Sequence, residues 1–442
     1  MVSIFSIKSK KLFGEIFVPG DKSISHRALI LGACAVGKTT IKNLLESEDV
    51  LATLKALKEL GVNIKKNQNL WEVYGNGLGS LINPNKTLYL GNSGTGTRLL
   101  MGLVSGCDIT VTFTGDESLN TRPMKRVLIP LQQSGAEISS NSDKLPITIK
   151  GNKIPIPIKY TSALSSAQVK SCVLLNGLTS TGNTTYLEVV KSRDHTEKML
   201  YYMGAEINSK YLKNGINKIE LKGLPYLKGK HFSIPNDPSS AAFPSAVALI
   251  IPDSEIRIKN VCLNDLRTGF YVSIREMGGY VKFINKKNFS GEVVGDILVK
   301  HSNLKGIVVP KKRVPSMIDE FPIFCIVACF AKGETVMKGI KDLRNKESDR
   351  IKEMVENLKR IGFSVKSNTD SISIIGNKKV NPRKEIIIDS KFDHRIAMSF
   401  LCLGLLMENG IRVKNAETIN TSFPSFFTIM NSIGANFKKQ RV

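Results

Sequence analysis

Short polar blocks recur along the chain, each at the start of a predicted helix, and their residue types could bind anions. A helix start carries unpaired backbone N–H groups and about half a positive charge, which favours phosphate or carboxylate. Ser, Asn and Asp are also ordinary N-caps, so any single block is consistent with capping alone. Several blocks add Lys, Arg or Gln, which capping does not require. The blocks are 21–23, 92–95, 165–168, 236–240, 319–320 and 393–395.

Three further positions have chemistry that a site could use. Asp319 precedes an almost wholly apolar predicted helix, so its carboxylate is a candidate base or simply a cap. Arg122 stands before a proline that opens a helix, and its planar guanidinium suits carboxylate or phosphate. In the charged block 343–350, Lys346 and Arg350 are four residues apart and share a helix face, which also fits a salt-bridged helix start.

Residues 32–39 match the phosphate-loop pattern GxxxxGKT. Such a loop must follow a strand and open a helix. Here the spacing predicts a helix before Gly37 and a strand after it. The order is reversed, which argues against a nucleotide site.

Length and composition indicate which elements must position these blocks. The chain has 442 residues, of which 42% are hydrophobic and 23% charged, typical of a globular protein with two domains. The net charge of +25 suggests anionic partners, but the lysines are scattered and aromatic residues make up only 7%, which disfavours nucleic acid. The seven cysteines form no CxxC pair or metal spacing and fit a reducing cytoplasm. No apolar stretch reaches the ~18 residues of a membrane span.

An internal repeat fills the chain. Six times, at intervals of roughly 75 residues, a helix-like segment ends in a turn that leads into a short strand. A second glycine marker, expected to end a helix, keeps the same interval. We predict six strand–helix–strand–helix–strand–strand repeats, three in each domain. The second marker is at Gly61, Gly135, Gly204, Gly278, Gly362 and Gly434.

Taken in order, the blocks resemble the 5-enolpyruvylshikimate-3-phosphate synthase family, also called 3-phosphoshikimate 1-carboxyvinyltransferase, over essentially the whole chain. Segments 166–170 and 193–199 look like its second bacterial branch. The resemblance implies an α/β, two-domain inside-out barrel-like fold of six βαβαββ units. One domain would comprise 1–18 plus 238–442 and the other 21–234, with hinge crossings near 18–21 and 234–238.

The resemblance also implies the activity. The enolpyruvyl group of phosphoenolpyruvate would pass to the 5-hydroxyl of shikimate 3-phosphate, with release of phosphate, through a tetrahedral intermediate. This is a step of the shikimate pathway to chorismate and aromatic amino acids, and a glyphosate target. The expected enzyme is a cytoplasmic monomer without a metal or organic cofactor, and with no nucleic-acid or membrane partner. An alternative of the same fold is UDP-N-acetylglucosamine enolpyruvyl transferase, but that family has Lys-Asn where this chain has Lys22-Ser23.

By the same resemblance, Asp319 would take the proton of the 5-hydroxyl, Glu347 would protonate the methylene carbon, and Lys22 would assist catalysis. The shikimate 3-phosphate site would comprise Lys22, Ser23, Arg27, Ser166, Ala167, Gln168, Arg193, Asp319 and Lys346. The phosphoenolpyruvate site would comprise Lys22, Gly94, Arg122, Gln168, Arg350 and Arg395.

Two positions bear on how this chain differs from other members. Some members have Lys where this chain has Thr421, and Gly94 is Ala in some glyphosate-tolerant relatives. We therefore expect sensitivity to glyphosate.

Overall fold

The computed structural model describes residues 2–163, 165–378, 380, 382 and 384–441. The chain divides into two compact units. The first comprises Met1–Pro19, Pro235–Asn288 and Val293–Val442, and the second comprises Gly20–Ile234 and Phe289–Glu292. The expected domain boundaries did not separate Phe289–Glu292 from 238–442. The hinge positions remain a prediction.

The first unit begins with strands β1 (Val2–Ile7) and β2 (Phe13–Ile16). The chain then enters the second unit, which alternates helices and strands. Its helices are α1 Lys22–Cys34, α2 Glu48–Glu59, α3 Gly94–Val104, α4 Glu117–Thr121, α5 Lys125–Gln133, α6 Ala167–Gly177 and α7 His195–Met203. Its strands are β3 Val36–Lys42, β4 Asn63–Asn67, β5 Leu70–Asn76, β6 Leu88–Tyr89, β7 Thr110–Thr114, β8 Glu137–Asn141, β9 Lys144–Lys150, β10 Lys159–Ser162, β11 Asn183–Glu188, β12 Ile207–Tyr211, β13 Asn217–Lys222 and β14 His231–Ser233.

The rest of the first unit follows the same alternation. Its helices are α8 Pro238–Ile250, α9 Gly269–Glu276, α10 Phe321–Cys329, α11 Arg350–Ile361, α12 His394–Gly404 and α13 Phe426–Ser432, with 3₁₀ turns at Lys311–Met317, Lys341–Asn345 and Ala416–Thr421. Its further strands are β15 Glu255–Cys262, β16 Tyr280–Phe289, β17 Glu292–Lys300, β18 Val308–Val309, β19 Glu334–Lys338, β20 Ser364–Ser367, β21 Ser371–Ile375, β22 Ile386–Asp389, β23 Ile411–Lys414 and β24 Asn436–Arg441.

The described strands form six four-stranded sheets, three in each unit, and all six share one strand order. In the second unit the orders are β14-β3-β5-β4, β6-β7-β9-β8 and β10-β11-β13-β12. In the first unit they are β2-β15-β17-β16, β18-β19-β21-β20 and β22-β23-β1-β24. The first two strands of each sheet are parallel, as a strand–helix–strand crossover requires. The predicted α/β fold of six βαβαββ units is confirmed.

Three repeats are completed by strands from distant parts of the chain. Strand β2 pairs in parallel with β15, on the far side of the second unit in the sequence, and supplies the first strand of that repeat. Strand β14 pairs in parallel with β3 and so supplies the first strand of the repeat that contains α1. Strand β1 lies between β23 and β24 and supplies the last strand of the C-terminal repeat. Each unit is therefore closed by strands that come from opposite ends of its own sequence.

Buried helices lie at the centre of each unit. Helices α8, α10 and α12 contact one another in the first unit, and α3 contacts α1 and α6 in the second. All nine residues of α10 are buried, as expected of a helix that is apolar on every side. Because these helices are held by their apolar bodies, their polar first turns have fixed positions. None of the described helices is long and apolar enough to cross a membrane.

The glycine markers end helices as predicted. All six have positive φ, between 87° and 111°, a conformation that side chains with a Cβ rarely adopt. Gly204 and Gly362 are left-handed C-caps of α7 and α11. The phosphate-loop match is also explained, since α1 precedes Gly37 and β3 contains it.

Candidate active site

The first turn of α1 carries a cation and a rigidly held arginine. Asp21 caps the helix by accepting from Ile24 N at 2.9 Å, and Lys22 forms an ion pair with Asp49 of α2. Arg27 is 4% exposed. Its Nη1 donates to Ser23 O at 2.8 Å, which folds the guanidinium back over the first turn.

Arg27 is also held by two hydroxyl groups from other helices. Its Nε donates to Thr196 Oγ1 at 2.7 Å, and its Nη2 donates to Ser171 Oγ at 2.6 Å. The two hydroxyl groups are 2.7 Å from each other. Neither Ser171 nor Thr196 was predicted from the sequence as a site residue, because an uncharged hydroxyl group on a predicted helix gives no signal of binding.

His26, which precedes Arg27 in α1, lies close to the positive charges at the start of this helix. His26 is buried, and its Nδ1 lies 2.9 Å from Thr53 Oγ1. Burial lowers the pKa of His26 well below its usual value, and the charges of Lys22 and Arg27 lower it further. The ring is therefore neutral at physiological pH, and the cations at the start of α1 are Lys22 and Arg27.

Helices α3 and α6 meet at their first turns. Ser93 caps α3 by accepting from Gly96 N at 3.2 Å, and Ser166 caps α6 by accepting from Val169 N at 3.4 Å. Gln168 then bridges the two helices, with its Nε2 donating to Thr95 Oγ1 at 2.9 Å. Ala167 is the first residue of α6.

Arg98 is a contact of Gln168 that the predicted site residues did not include. It is 7% exposed, and its Nη1 donates to Gln168 Oε1 at 3.0 Å and to Gly94 O at 3.2 Å. The sequence contained a signal for Arg98, because it follows Gly94 of block 92–95 by one helical turn.

Arg122 is 6% exposed and lies beside Gly94. Its Nη1 donates to Asn92 O at 3.3 Å, and its Nη2 donates to Asn92 Oδ1 and to Ser118 Oγ, the latter at 3.1 Å. A Cβ at Gly94 would lie 3.0 Å from Arg122 Nη1 and 2.9 Å from Arg98 Nη1. The absence of a side chain at position 94 therefore lets two guanidinium groups approach the start of α3. Arg193 is half-buried in the loop before α7.

In the first unit, Arg350 is the centre of a cluster of carboxylates. It is 2% exposed, and its Nε donates to Asp393 Oδ2 at 2.8 Å. Its Nη2 donates to Glu347 Oε2 at 2.6 Å, and its Nη1 lies 3.7 Å from Asp319 Oδ1. Burial lowers the pKa of Arg350, but Asp393, Glu347 and Asp319 outweigh that effect and raise it above its ordinary value. The predicted base and acid thus share one buried cation.

Asp393 connects this cluster to Arg395. Its Oδ1 accepts from Arg395 N at 2.8 Å and so caps α12, while the same carboxylate holds Arg350. Arg395 Nη1 donates to Ser239 O at 3.4 Å, and its guanidinium stacks over Phe243 at 5.7 Å.

Two of the positions singled out in the sequence make contacts outside the carboxylate cluster. Lys346 Nζ pairs with Asp342 Oδ2 at 3.3 Å. Thr421 is buried, and its Oγ1 contacts His394 Nδ1 at 3.3 Å, so this position presents a hydroxyl group and no cation.

One group in the described part of the chain has metal-ligand geometry. Oxygen and nitrogen atoms of Asp194, His195 and Glu292 lie within 4.8 Å of one another. The ammonium group of Lys198, however, lies 3.0 Å from Glu292 Oε2 and 3.4 Å from Asp194 Oδ1. A metal ion there would face that positive charge, so the group is better described as an ion-pair cluster.

The chain matches a family model described as EPSP synthase (3-phosphoshikimate 1-carboxyvinyltransferase) over residues 7–430. It is similar to the 3-phosphoshikimate 1-carboxyvinyltransferases of Chelativorans sp. (strain BNC1) and Paracoccus denitrificans (strain Pd 1222). The first is 46% identical over 98% of this chain and 97% of the relative, and the second 47% identical over 97% and 96%.

A solved structure of EPSP synthase from Acinetobacter baumannii is similar over 100% of both chains, with a TM-score of 0.85 and 38% identity. These matches support the predicted activity and not that of the UDP-N-acetylglucosamine enzyme. The chain therefore belongs to the EPSP synthase (3-phosphoshikimate 1-carboxyvinyltransferase) family, whose members are transferases of the shikimate pathway.

Proposed function

We propose that Asp319, Glu347 and Lys22 carry out the proton transfers and charge stabilisation of enolpyruvyl transfer. Asp319 takes the proton of the 5-hydroxyl of shikimate 3-phosphate as that oxygen bonds to C2 of phosphoenolpyruvate. Glu347 protonates the methylene carbon in the same step, because attack on an enol ether carbon requires proton gain by the neighbouring carbon. Lys22 stabilises the developing charge. In the tetrahedral intermediate the Glu347 carboxylate then takes back one methyl proton as the bond from C2 to the phosphate oxygen breaks, and phosphate leaves.

The observation that carries this proposal is the contact of Arg350 with both carboxylates. Its guanidinium lies 2.6 Å from Glu347 and 3.7 Å from Asp319. A third carboxylate, Asp393, accepts from Arg350 Nε at 2.8 Å. A buried arginine has a fixed fork geometry, so two groups that contact the same fork have a defined separation. Such preorganisation is what a base and an acid acting in one step require.

The anion-binding residues divide between the two substrates. For shikimate 3-phosphate we assign Lys22, Ser23, Arg27, Ser166, Ala167, Gln168, Arg193, Asp319 and Lys346. For phosphoenolpyruvate we assign Lys22, Gly94, Arg122, Gln168, Arg350 and Arg395. The firm anchoring of Arg27, Arg122 and Arg350 supports this assignment, because a guanidinium that is already ordered loses little entropy when it binds an anion.

We propose further that the enzyme acts as a cytoplasmic monomer on these small molecules, without nucleic-acid or membrane partners. The support is chemical. All seven cysteines are buried free thiols, which suits a reducing compartment, and the lysines that dominate the +25 charge are scattered along the sequence.

Phosphate release from phosphoenolpyruvate in the presence of shikimate 3-phosphate tests the catalytic roles. We expect Asp319→Asn and Glu347→Gln each to lower kcat by about 10²–10⁴-fold, with smaller changes in either KM. Glu356→Gln is a matched control, since Glu356 lies on α11 with a 62% exposed side chain. A variant with the kcat of the parent enzyme would refute the role of that residue.

A further inference from the structure

Lys170 is fully buried in α6 and takes no part in the mechanism proposed above. Its Nζ lies 3.0 Å from Glu188 Oε1 and 2.7 Å from Glu197 Oε1, and donates to Ser192 O at 3.1 Å. Burial lowers the pKa of Lys170, but the two glutamates outweigh that effect and raise it, so the ammonium group is charged. Lysine is almost never fully buried in proteins unless it is paired with opposite charges, as it is here.

The cluster joins four separate segments of the second unit. Lys170 lies on α6, Glu188 ends β11, Ser192 lies in the following loop, and Glu197 lies in the first turn of α7. Glu188 adds bonds of its own, since its Oε2 accepts from Ser192 N at 3.1 Å and from Ser192 Oγ at 2.6 Å. The loop so anchored contains Arg193 one residue later.

Stability alone does not explain such a cluster. Burial of charges carries a desolvation cost that their attraction often fails to recover, and well-packed apolar residues in their place are often at least as stable. A buried ion cluster does, however, impose one defined arrangement on the elements that it joins.

The arrangement that Lys170 fixes includes two hydroxyl groups next to its cluster in the sequence. Ser171 follows Lys170 on α6, and Thr196 precedes Glu197 on α7. The hydroxyl groups of Ser171 and Thr196 are the two that hold Arg27, at 2.6 and 2.7 Å. The 2.7 Å ion pair between Lys170 and Glu197 therefore sets the separation of the same two helix turns that orient Arg27.

We propose that Lys170 is a positioning residue for the shikimate 3-phosphate site. Through Glu197 it fixes α6 against α7 so that Arg27 keeps its orientation, and through Glu188 and Ser192 it fixes the loop that carries Arg193. This inference rests on the proposed function, which assigns Arg27 and Arg193 to shikimate 3-phosphate. It adds a determinant that touches neither substrate and that should affect one substrate more than the other.

A double-mutant cycle between Glu197→Gln and Arg27→Ala tests the proposal by steady-state kinetics. Glu197→Gln keeps the side-chain shape and leaves Lys170 paired with Glu188. We expect it to raise the KM for shikimate 3-phosphate about tenfold, the loss typical of a charge-assisted hydrogen bond. The KM for phosphoenolpyruvate should change less than about twofold by the same reasoning. In the Arg27→Ala background the effect of Glu197→Gln should largely vanish, because both changes act through Arg27.

The charge-free variant Lys170→Met/Glu188→Gln/Glu197→Gln covers the case in which a single change prevents folding. It should fold, as judged by a cooperative thermal transition, and should still raise the KM for shikimate 3-phosphate. Lys222→Met is the control, because Lys222 pairs with Glu206 at 2.8 Å on an exposed surface of the same unit.

The outcomes separate this inference from the proposed function. A parental KM for shikimate 3-phosphate in both cluster variants, an equal rise in both KM values, or additive effects with Arg27→Ala would overturn the role of Lys170. If Arg27→Ala itself left the KM for shikimate 3-phosphate unchanged, the assignment of Arg27 would fail instead.

Discussion

A single guanidinium group organises the carboxylates proposed for proton transfer. Arg350 contacts Glu347 three residues before it and Asp319 at the mouth of α10, and both contacts involve residues noted in the sequence. The sequence could not reveal Asp393 as the third partner, since it lies 43 residues away and reads as an N-cap. Its carboxylate both caps α12 and holds Arg350. The spacing within 343–350 thus indicated that Glu347 and Arg350 are neighbours. Only the tertiary structure shows that three carboxylates contact one guanidinium group.

Gly94 leads to a prediction at the scale of one methyl group. In Gly94→Ala the new Cβ would lie about 3 Å from the guanidinium groups of Arg98 and Arg122, so both must move. We expect the KM for phosphoenolpyruvate to rise and inhibition by glyphosate to weaken, with little change in the KM for shikimate 3-phosphate.

Inhibition curves at equal saturation with phosphoenolpyruvate measure the Gly94 effect. Gly79→Ala controls for a general loss of stability away from the site, since nothing lies within 4 Å of a Cβ at that position but its φ of +72° is unfavourable for alanine. Unchanged constants for phosphoenolpyruvate and glyphosate in Gly94→Ala would contradict the prediction.

Among the secondary-structure elements, α3 and α6 are held unusually close together. A Cβ at Gly102 of α3 would lie 2.4 Å from Cys172 O and 2.7 Å from Cys172 Cα, both backbone atoms of α6. This close approach brings Thr95 within hydrogen-bond distance of Gln168 at the helix starts. The glycine therefore contributes to the site from two turns away.

Gly102→Ala should destabilise the protein, although alanine in a helix is intrinsically more stable than glycine by about 1 kcal/mol. Because backbone atoms cannot turn aside as side chains do, we expect a net loss of about 1–3 kcal/mol in the free energy of unfolding. Gly32→Ala in α1 is the matched comparison, since the nearest atoms to a Cβ there, in Val73 and Thr39, lie at 3.2 and 3.3 Å and the clash is much smaller. Denaturant unfolding of both variants measures the difference, and equal stabilities would disprove the close-packing argument.

Helix starts and stops were the most predictable elements. Asp21, Ser93 and Ser166 cap their helices as their positions in the polar blocks indicate, and the glycine markers all have positive φ. The repeat also predicted the alternation of strands and helices along the chain in each βαβαββ unit. It could not predict that β14 would join β3 or that β1 would join β23, because pairing between distant strands leaves no local signal. Nor could it predict the Lys170 cluster, whose partners lie on separate elements.

For the whole molecule, the ion-pair cluster of Glu292 links stability to pH. Burial raises the pKa of Glu292, but His195 and Lys198 outweigh it and lower the pKa from 4.5 to about 2. Asp194 faces the same cluster. A carboxylate whose pKa is lower in the folded state stabilises that state above pH 4.5, and the contribution disappears as the pH falls through about 2.

Glu292→Gln should therefore lower the free energy of unfolding most near neutral pH, by at most about 3 kcal/mol. The difference from the parent protein should shrink steadily between pH 4.5 and about 2. Urea unfolding across this range tests it. Glu255→Gln, at an exposed pair with Lys300, should show little dependence on pH, and a constant deficit for Glu292→Gln would contradict the linkage.

The order in which the strands of each sheet occur along the chain affects folding during synthesis. The second unit is almost one continuous stretch, Gly20–Ile234, so nearly all of it has left the ribosome while the first unit is still being made. Strand β1, synthesised before the second unit, must stay unpaired until β23 and β24 have been made. The nascent chain thus carries an exposed strand with unsatisfied backbone groups ahead of a unit that can already fold. We expect chaperone contact during synthesis to concentrate on β1 and to end when β24 is complete.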